Sequence, residues 1–322
     1  MIAALLLLLS VPGPAVTSVW GDSLAARDTL TLSLVAEPPV AVGGDARGQV
    51  LEPAGVAVDA FGRVYVADAA LHRLQRFDRQ GRWLGENGVL GSETGEMRRP
   101  GSVALLGVMG VGVLDRENRR VEAFDLFGRR IGTTLDLADP AMEEVLGRVD
   151  PAQLATDRGG ALYVADPARE RVLAFDVSGR FLRVIGGYGT RPGQLRGLRG
   201  VAIAPRGELI VTERLNARLQ RLDAGGRVVA SWPLPVRPGG GAESLPAAAD
   251  ATGRIAVADE ASGALWVFDP QGRMLAHVSG SGHPKALAFA PDSTLVMATA
   301  GPPEVRRYRL VSRGGRAPGA GR

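Results

Sequence analysis

One pattern recurs six times between residues 51 and 310. It can be followed through Asp68, Asp115, Asp166, Glu213, Asp259 and Thr299, which lie 47, 51, 47, 46 and 40 residues apart. Each of these residues closes an apolar run: VYVAD, GVGVLD, LYVAD, LIVTE, IAVAD and LVMAT. Further apolar runs end before and after each of them. A period of 40 to 50 residues holding several strands predicts propeller blades. Stacked blades share one continuous core, so 322 residues predict one ring rather than two domains. The expected fold is all-β: a six-bladed β-propeller over residues 29–310.

Two recurring turns give each blade its hairpins. The first appears as Asp59-Ala-Phe-Gly62, Asp157-Arg-Gly-Gly160 and Asp250-Ala-Thr-Gly253. The second appears as Asp78-Arg-Gln-Gly81, Asp125-Leu-Phe-Gly128, Asp176-Val-Ser-Gly179, Asp223-Ala-Gly-Gly226 and Asp269-Pro-Gln-Gly272. Asp first and Gly fourth is the type I turn preference, and the Asp carboxylate satisfies N–H groups inside the turn. All these turns fall at one end of the ring. At the other end, an Arg follows the anchor acid by five residues in four repeats (Arg73, Arg120, Arg171, Arg218), which predicts an ion pair across each hairpin. Residues 135–149 read as a short inserted helix, and residues 233–246 as a long loop.

The ring needs a closure, because an open one would leave bare strand edges. The chain offers no fourth strand after Arg309. It does offer an apolar stretch at residues 29–43, ahead of the first full blade. The N-terminal strand is therefore expected to pair into blade six. Pro38 and Pro39, which cannot donate ladder hydrogen bonds, suit an outermost position there.

Composition narrows the function classes. The chain has no cysteine, which excludes disulfides, thiolate catalysis and cysteine–zinc sites. The first 18 residues, MIAALLLLLSVPGPAVTS, read as a signal peptide, since the apolar core is short for a membrane span. The mature chain is thus expected to be extracytoplasmic (periplasmic or secreted), monomeric and without a transmembrane helix. The net charge of +4 depends on the tail SRGGRAPGAGR, read as a disordered basic segment over 311–322. Without its three arginines the excess is +1. The remaining charges interleave, which argues against nucleic acid as a partner.

The repeats resemble those of the NHL-repeat propellers: Pro53-Ala-Gly-Val-Ala-Val-Asp59, Gly62-Arg-Val-Tyr-Val-Ala-Asp68, Asn118-Arg-Arg-Val-Glu-Ala-Phe-Asp125 and Arg171-Val-Leu-Ala-Phe-Asp176. The resemblance covers about 260 residues and implies six four-stranded antiparallel blades. That family and similar six-bladed propellers include protein- and RNA-binding modules, extracellular sensors and metal-dependent lactonases and lyases, so the fold does not choose a function.

Candidate chemistry lies at the long-loop end. Seven residues before the end of each innermost strand stand Glu52, Arg99, Asp150, Gly197, Glu243 and His283. If they face the axis, Glu52, Asp150, Glu243 and His283 form a candidate metal set, and oxygen ligands from several blades suit Ca²⁺ or Mg²⁺. A solvated polar rim is the bland reading of the same ring. Arg98, Arg99, Arg196 and Arg199 on the inter-blade loops form a candidate ligand rim, because the guanidinium fork fits carboxylate or sulfate groups. No nucleophile elbow and no phosphate-binding glycine loop occurs. His72 and His277 fall at unrelated repeat positions. The leading expectation is a non-enzymatic binding or sensing scaffold for a protein or acidic glycan. The alternative is a metal-dependent lactonase- or lyase-like hydrolase at the channel mouth.

Overall fold

The structure is a computed structural model that describes residues 30–239 and 243–313. The segment expected to be a signal peptide, most of the basic tail and the tip of the 233–246 loop lie outside the described residues. Among these residues the strands form six four-stranded antiparallel sheets, five of them each contributed by one repeat and the sixth by the last repeat together with the N-terminal strand. Blade one runs through Pro53–Val58, Val64–Asp68, Arg73–Phe77 and Trp83–Asn87. The innermost strands of the other blades are Pro100–Leu106, Gln153–Thr156, Leu198–Ile203, Ala247–Ala249 and Pro284–Phe289. They touch in cyclic order, and blade six packs back on blade one. The fold is a six-bladed β-propeller.

Closure occurs where the sequence places it. The N-terminal strand Leu32–Val42 is the outermost strand of blade six, paired antiparallel with Pro303–Ser312 from Leu32↔Ser312 to Val42↔Glu304. The register shifts on either side of Pro39, where the ladder loses donors.

The turn chemistry explains the hairpins. At each of the eight Asp-x-x-Gly turns the Gly N–H donates to the Asp carbonyl at 2.9–3.1 Å. The Asp Oδ1 also accepts the next two free amides, as at Asp59 from Phe61 and Arg63, both at 2.9 Å. An Arg four residues on closes the unit in seven of the eight, for example Arg63 to Asp59 at 2.7 Å. Blades two, four and six use other residues for their first turns.

Apolar side chains pack between blades rather than in one central core. Leu114, Val121, Leu162, Val164, Leu173 and Phe175, for instance, join blades two and three. Near the axis the strands come close. A Cβ on Gly55 would lie 2.8 Å from the Ser102 backbone, and one on Gly200 would overlap the Leu245 carbonyl, so only glycine fits there. The inserted helix spans Pro140–Leu146. Asp139 caps it by accepting from Ala141 N at 2.9 Å, Gly147 ends it with φ 67°, and Leu146 is its buried contact. No helix among the described residues is long and apolar enough to cross a membrane.

Candidate ligand site at the channel mouth

The anchor acids build the long-loop end. Asp68, Asp115, Asp166 and Glu213 are all fully buried. Each accepts an amide from the loop that enters its own blade. Asp68 takes Leu51 N at 2.8 Å and Glu52 N at 3.1 Å. Asp115 takes Arg98 N at 2.7 Å, Asp150 N reaches Asp166 at 3.4 Å, and Glu213 takes Arg196 N at 2.9 Å. In these four blades such hydrogen bonds set the residues at the mouth of the channel.

The expected arginine partners occur in three blades: Arg120–Asp115 at 3.0 Å, Arg171–Asp166 at 2.9 Å and Arg218–Glu213 at 2.7 Å. Blade one differs. Asp68 is committed to the amides of Leu51, Glu52, Ala70 and Leu71, and Arg73 pairs with Glu86 at 2.9 Å. These arginines also hold the inter-blade loops. Arg218 donates to the carbonyls of Thr190, Arg191 and Gln194, and Arg120 to those of Ser92, Glu93 and Glu96. In blade three the Leu146 carbonyl at the helix end takes that place, at 2.7 Å from Arg171. Burial, ahead of the lowering by Arg98 N–H, Asn118 and Arg120, raises the Asp115 carboxyl above its ordinary range.

These loops enclose a cavity of about 920 Å³. Blades one to three supply most of its lining, and Leu198, Arg199, Ser244 and Lys285 of the other blades complete it. Six cationic side chains line it (Arg99, Arg116, Arg119, Arg148, Arg199 and Lys285) against three carboxylates (Glu52, Glu117 and Asp150). Beneath it the channel shrinks to a space of about 60 Å³ between small inner-strand residues such as Ala54, Gly55, Gly101, Ser102 and Ala247.

Internal pairing neutralises part of the cationic lining. Arg99 holds Glu52 with one Nη2 at 2.6 and 2.7 Å, and lies 3.8 Å from Glu117. Its backbone N–H donates to His72 Nδ1 at 3.0 Å. Arg119 pairs with Glu143 of the inserted helix, and Lys285 with Glu260. Arg116 and Arg148 line the cavity with no acidic partner among the described residues.

The sequence-expected residues divide evenly. Glu52, Arg99, Asp150 and Arg199 line the cavity, whereas Arg98, Arg196, Glu243 and His283 do not. Arg98 is exposed and Arg196 half-buried, and both serve the anchor acids through their amides. Glu243 Oε2 is buried without a hydrogen-bond partner, and His283 is exposed beside Gly301. The expected metal set is not assembled. Among the described residues no three His, Asp or Glu side chains stand close enough to share an ion. Glu52 is occupied by Arg99, so these residues do not fit a metal.

Arg116, Glu117, Arg119, Arg148 and Lys285 escaped the sequence reading. Two signals for them existed. Arg116 immediately follows an anchor acid. Lys285 occupies the same repeat position as Arg199, two residues after the expected ring.

No family model and no curated protein sequence matches the chain. Solved structures do. It is similar to a streptogramin B lyase, with a TM-score of 0.62 and 10% identity over 87% of this chain and 98% of that one. It is similar to virginiamycin B lyase from Staphylococcus aureus, with a TM-score of 0.61 and 11% identity over 87% and 100%. A gluconolactonase from Xanthomonas campestris gives 0.59 and 16% over 86% and 99%. At these identities the likeness establishes the shared propeller fold.

Proposed function

We propose that the chain is an exported NHL-type binding or sensing propeller whose long-loop face seats an acidic ligand, a glycan or an acidic protein segment, in the channel-mouth cavity. Arg116 and Arg148 carry this reading: both line the cavity without an acidic partner among the described residues, while Arg99, Arg119 and Lys285 are paired with Glu52, Glu143 and Glu260. Guanidinium groups hold carboxylates through paired, charge-assisted hydrogen bonds, so two unmatched ones select for anions.

A second reading rests on the fold neighbours, a lyase and a gluconolactonase: the same cavity acting on a lactone or a similar cyclic ester. It has few groups to work with. The lining holds no histidine, and its carboxylates are Glu52, Glu117 and Asp150. Of these, Asp150 alone has no cationic partner among the ion pairs of the described residues, and it would be the general base.

One experiment separates the readings. Binding of oligogalacturonate and of gluconate is measured by calorimetry for the full chain and for Arg116→Ser/Arg148→Ser. Turnover of gluconolactone is followed in parallel. Binding that weakens about tenfold or more in the variant, without turnover, supports the scaffold. Turnover abolished by Asp150→Asn replaces it with the enzyme. Undiminished binding in the variant overturns the scaffold reading of the cavity.

A further inference from the structure

Resting on the reading of the cavity as an anion site, we propose that its ligand is a zwitterion, with an ammonium group a few bonds from its carboxylate, and that Asp150 is the residue that selects the ammonium. Three charged side chains are left over in the lining: Arg116, Arg148 and Asp150. None of them has an oppositely charged partner among the described residues. Two are cations and one is an anion, so the vacancy they offer is not purely cationic.

The chain presents the three together. Arg148-Val149-Asp150 alternates exposed, buried, exposed, and Val149 is 1% exposed in the core between blades two and three. Side chains two residues apart on an extended stretch share a face and stand roughly 7 Å apart. The backbone here is held at both residues. Asp150 N reaches Asp166 at 3.4 Å, and the Arg148 carbonyl accepts from Arg169. Arg116 comes alongside from blade two. A Cβ on Gly101 would meet Arg116 Cδ at 3.5 Å and the Ala152 carbonyl at 3.8 Å, so the arginine stem lies over Gly101, beside the segment that bears Asp150.

Arg169 and Arg171, the arginines that follow in blade three, are engaged elsewhere. Arg171 holds Asp166 at 2.9 Å and the Leu146 carbonyl at 2.7 Å. Arg169 stands 3.8 Å from Asp166 and donates to the Arg148 carbonyl. Arg99 is spent on Glu52. A plain anion drawn to Arg116 and Arg148 therefore meets a like charge at Asp150. A ligand with an ammonium group beside its carboxylate satisfies all three. The guanidinium forks take the carboxylate, and Asp150 accepts from the ammonium. Amino-sugar acids and α-amino acids share this chemistry.

Calorimetry on the full chain compares D-gluconate with D-glucosaminate, in which an ammonium group replaces one hydroxyl, and glutarate with L-glutamate. In each pair the zwitterion has the less negative net charge, so diffuse attraction to a cationic cavity would favour the plain acid. We expect the reverse, with the zwitterion bound roughly tenfold or more tighter. A preference confined to the first pair assigns an amino-sugar acid, and one confined to the second an amino acid. Asp150→Asn should weaken the zwitterion about tenfold and strengthen the plain acid, since a like charge has gone. Plain acids bound as tightly as both zwitterions by the unaltered chain, or a preference that survives Asp150→Asn, overturn the proposal. So does an equal loss for both members of a pair in Asp150→Asn, which would make Asp150 structural. No binding of any of the four acids, or undiminished gluconate binding in Arg116→Ser/Arg148→Ser, sinks the anion reading itself and the zwitterion with it.

Discussion

Arg116 and Arg214 occupy the same place in two repeats, each directly after its anchor acid, and they have opposite fates. Arg214 is 3% exposed and crosses to the next blade, where it holds Asp259 at 2.5 Å and the Ser244 carbonyl at 3.3 Å. Arg116 is exposed and lines the cavity. The next blade makes the difference. Asp259 has no arginine five residues on, since Ala264 stands there, and it is open to Arg214. The repeat equivalent of Asp259 in blade three is Asp166, already engaged by Arg171 at 2.9 Å, with Arg169 at 3.8 Å. A repeat protein copies positions, but a copied side chain becomes available for ligand where its neighbour's partner is already taken.

The largest expected contrast is in stability. Arg214→Ala strands the buried Asp259 carboxylate and should cost about 3–5 kcal/mol, whereas Arg116→Ala should stay within about 0.5 kcal/mol. Urea unfolding of both variants checks this, and equal costs would break the comparison. Next comes Arg214→Met with Asp259→Leu. Replacing a buried pair by apolar side chains should recover most of the loss. A double variant as unstable as Arg214→Ala would show that Ser244 and Ser262, not the charges, set the joint.

A smaller effect concerns the cavity alone. Anion affinity should fall as NaCl rises from 0.05 to 0.5 M, because charges this exposed are screened over about 8 Å at physiological ionic strength. The slope should flatten in Arg116→Ser/Arg148→Ser and stay unchanged in the turn-end set Arg82→Ser/Arg129→Ser/Arg180→Ser/Arg273→Ser. A flattened slope in the turn-end set would reduce the site to diffuse charge.

The smallest effect is in pH. Burial tends to raise the Asp259 carboxyl, but hydrogen bonds from Ser262 and Arg214 and the Arg214 charge bring it below its ordinary range. Its stabilisation is present above the unfolded value of about 3.9 and is lost as pH falls through the lower folded value. Asp115 is shifted the other way by burial, so it disfavours the folded state as pH rises from about 3.9 through its raised value. Unfolding free energies between pH 3 and 7 should therefore show opposite changes of slope in Asp259→Asn and Asp115→Asn. Parallel curves would remove the distinction between the two joints.

The architecture was legible because its causes are local. Asp and Gly at fixed spacing make turns, alternating apolar runs make strands, and their sixfold recurrence makes a ring. Even closure followed from counting strands at the two ends. The site was half legible. Repeat register brings Glu52, Arg99 and Asp150, and the inter-blade loops Arg199, to the cavity lining, yet the register reading assumed a ring symmetric about the axis. The inserted helix places Glu143 against Arg119 and Arg148 at its exit, on one side of the lining, and Glu243 and His283 lie outside that lining. Arg116 needed knowledge of who already holds Asp166, and that belongs to three dimensions.

The strand that seals blade six is the first to be synthesised and the last to find its neighbour. Ser33 Oγ ends 2.9 Å from Arg313 Nε, 280 positions later in the chain. At about 5–20 residues per second, Leu32–Val42 waits some 15–60 s before its partner exists. Five blades can stack during that interval as a crescent, but each end of the crescent offers an unpaired edge. Pro38 and Pro39 make the waiting strand a poor template for other chains. A nascent chain stalled before residue 303 should therefore be trapped open and vulnerable to proteases, and release of the last ten-residue strand is the event that makes the ring resistant to them.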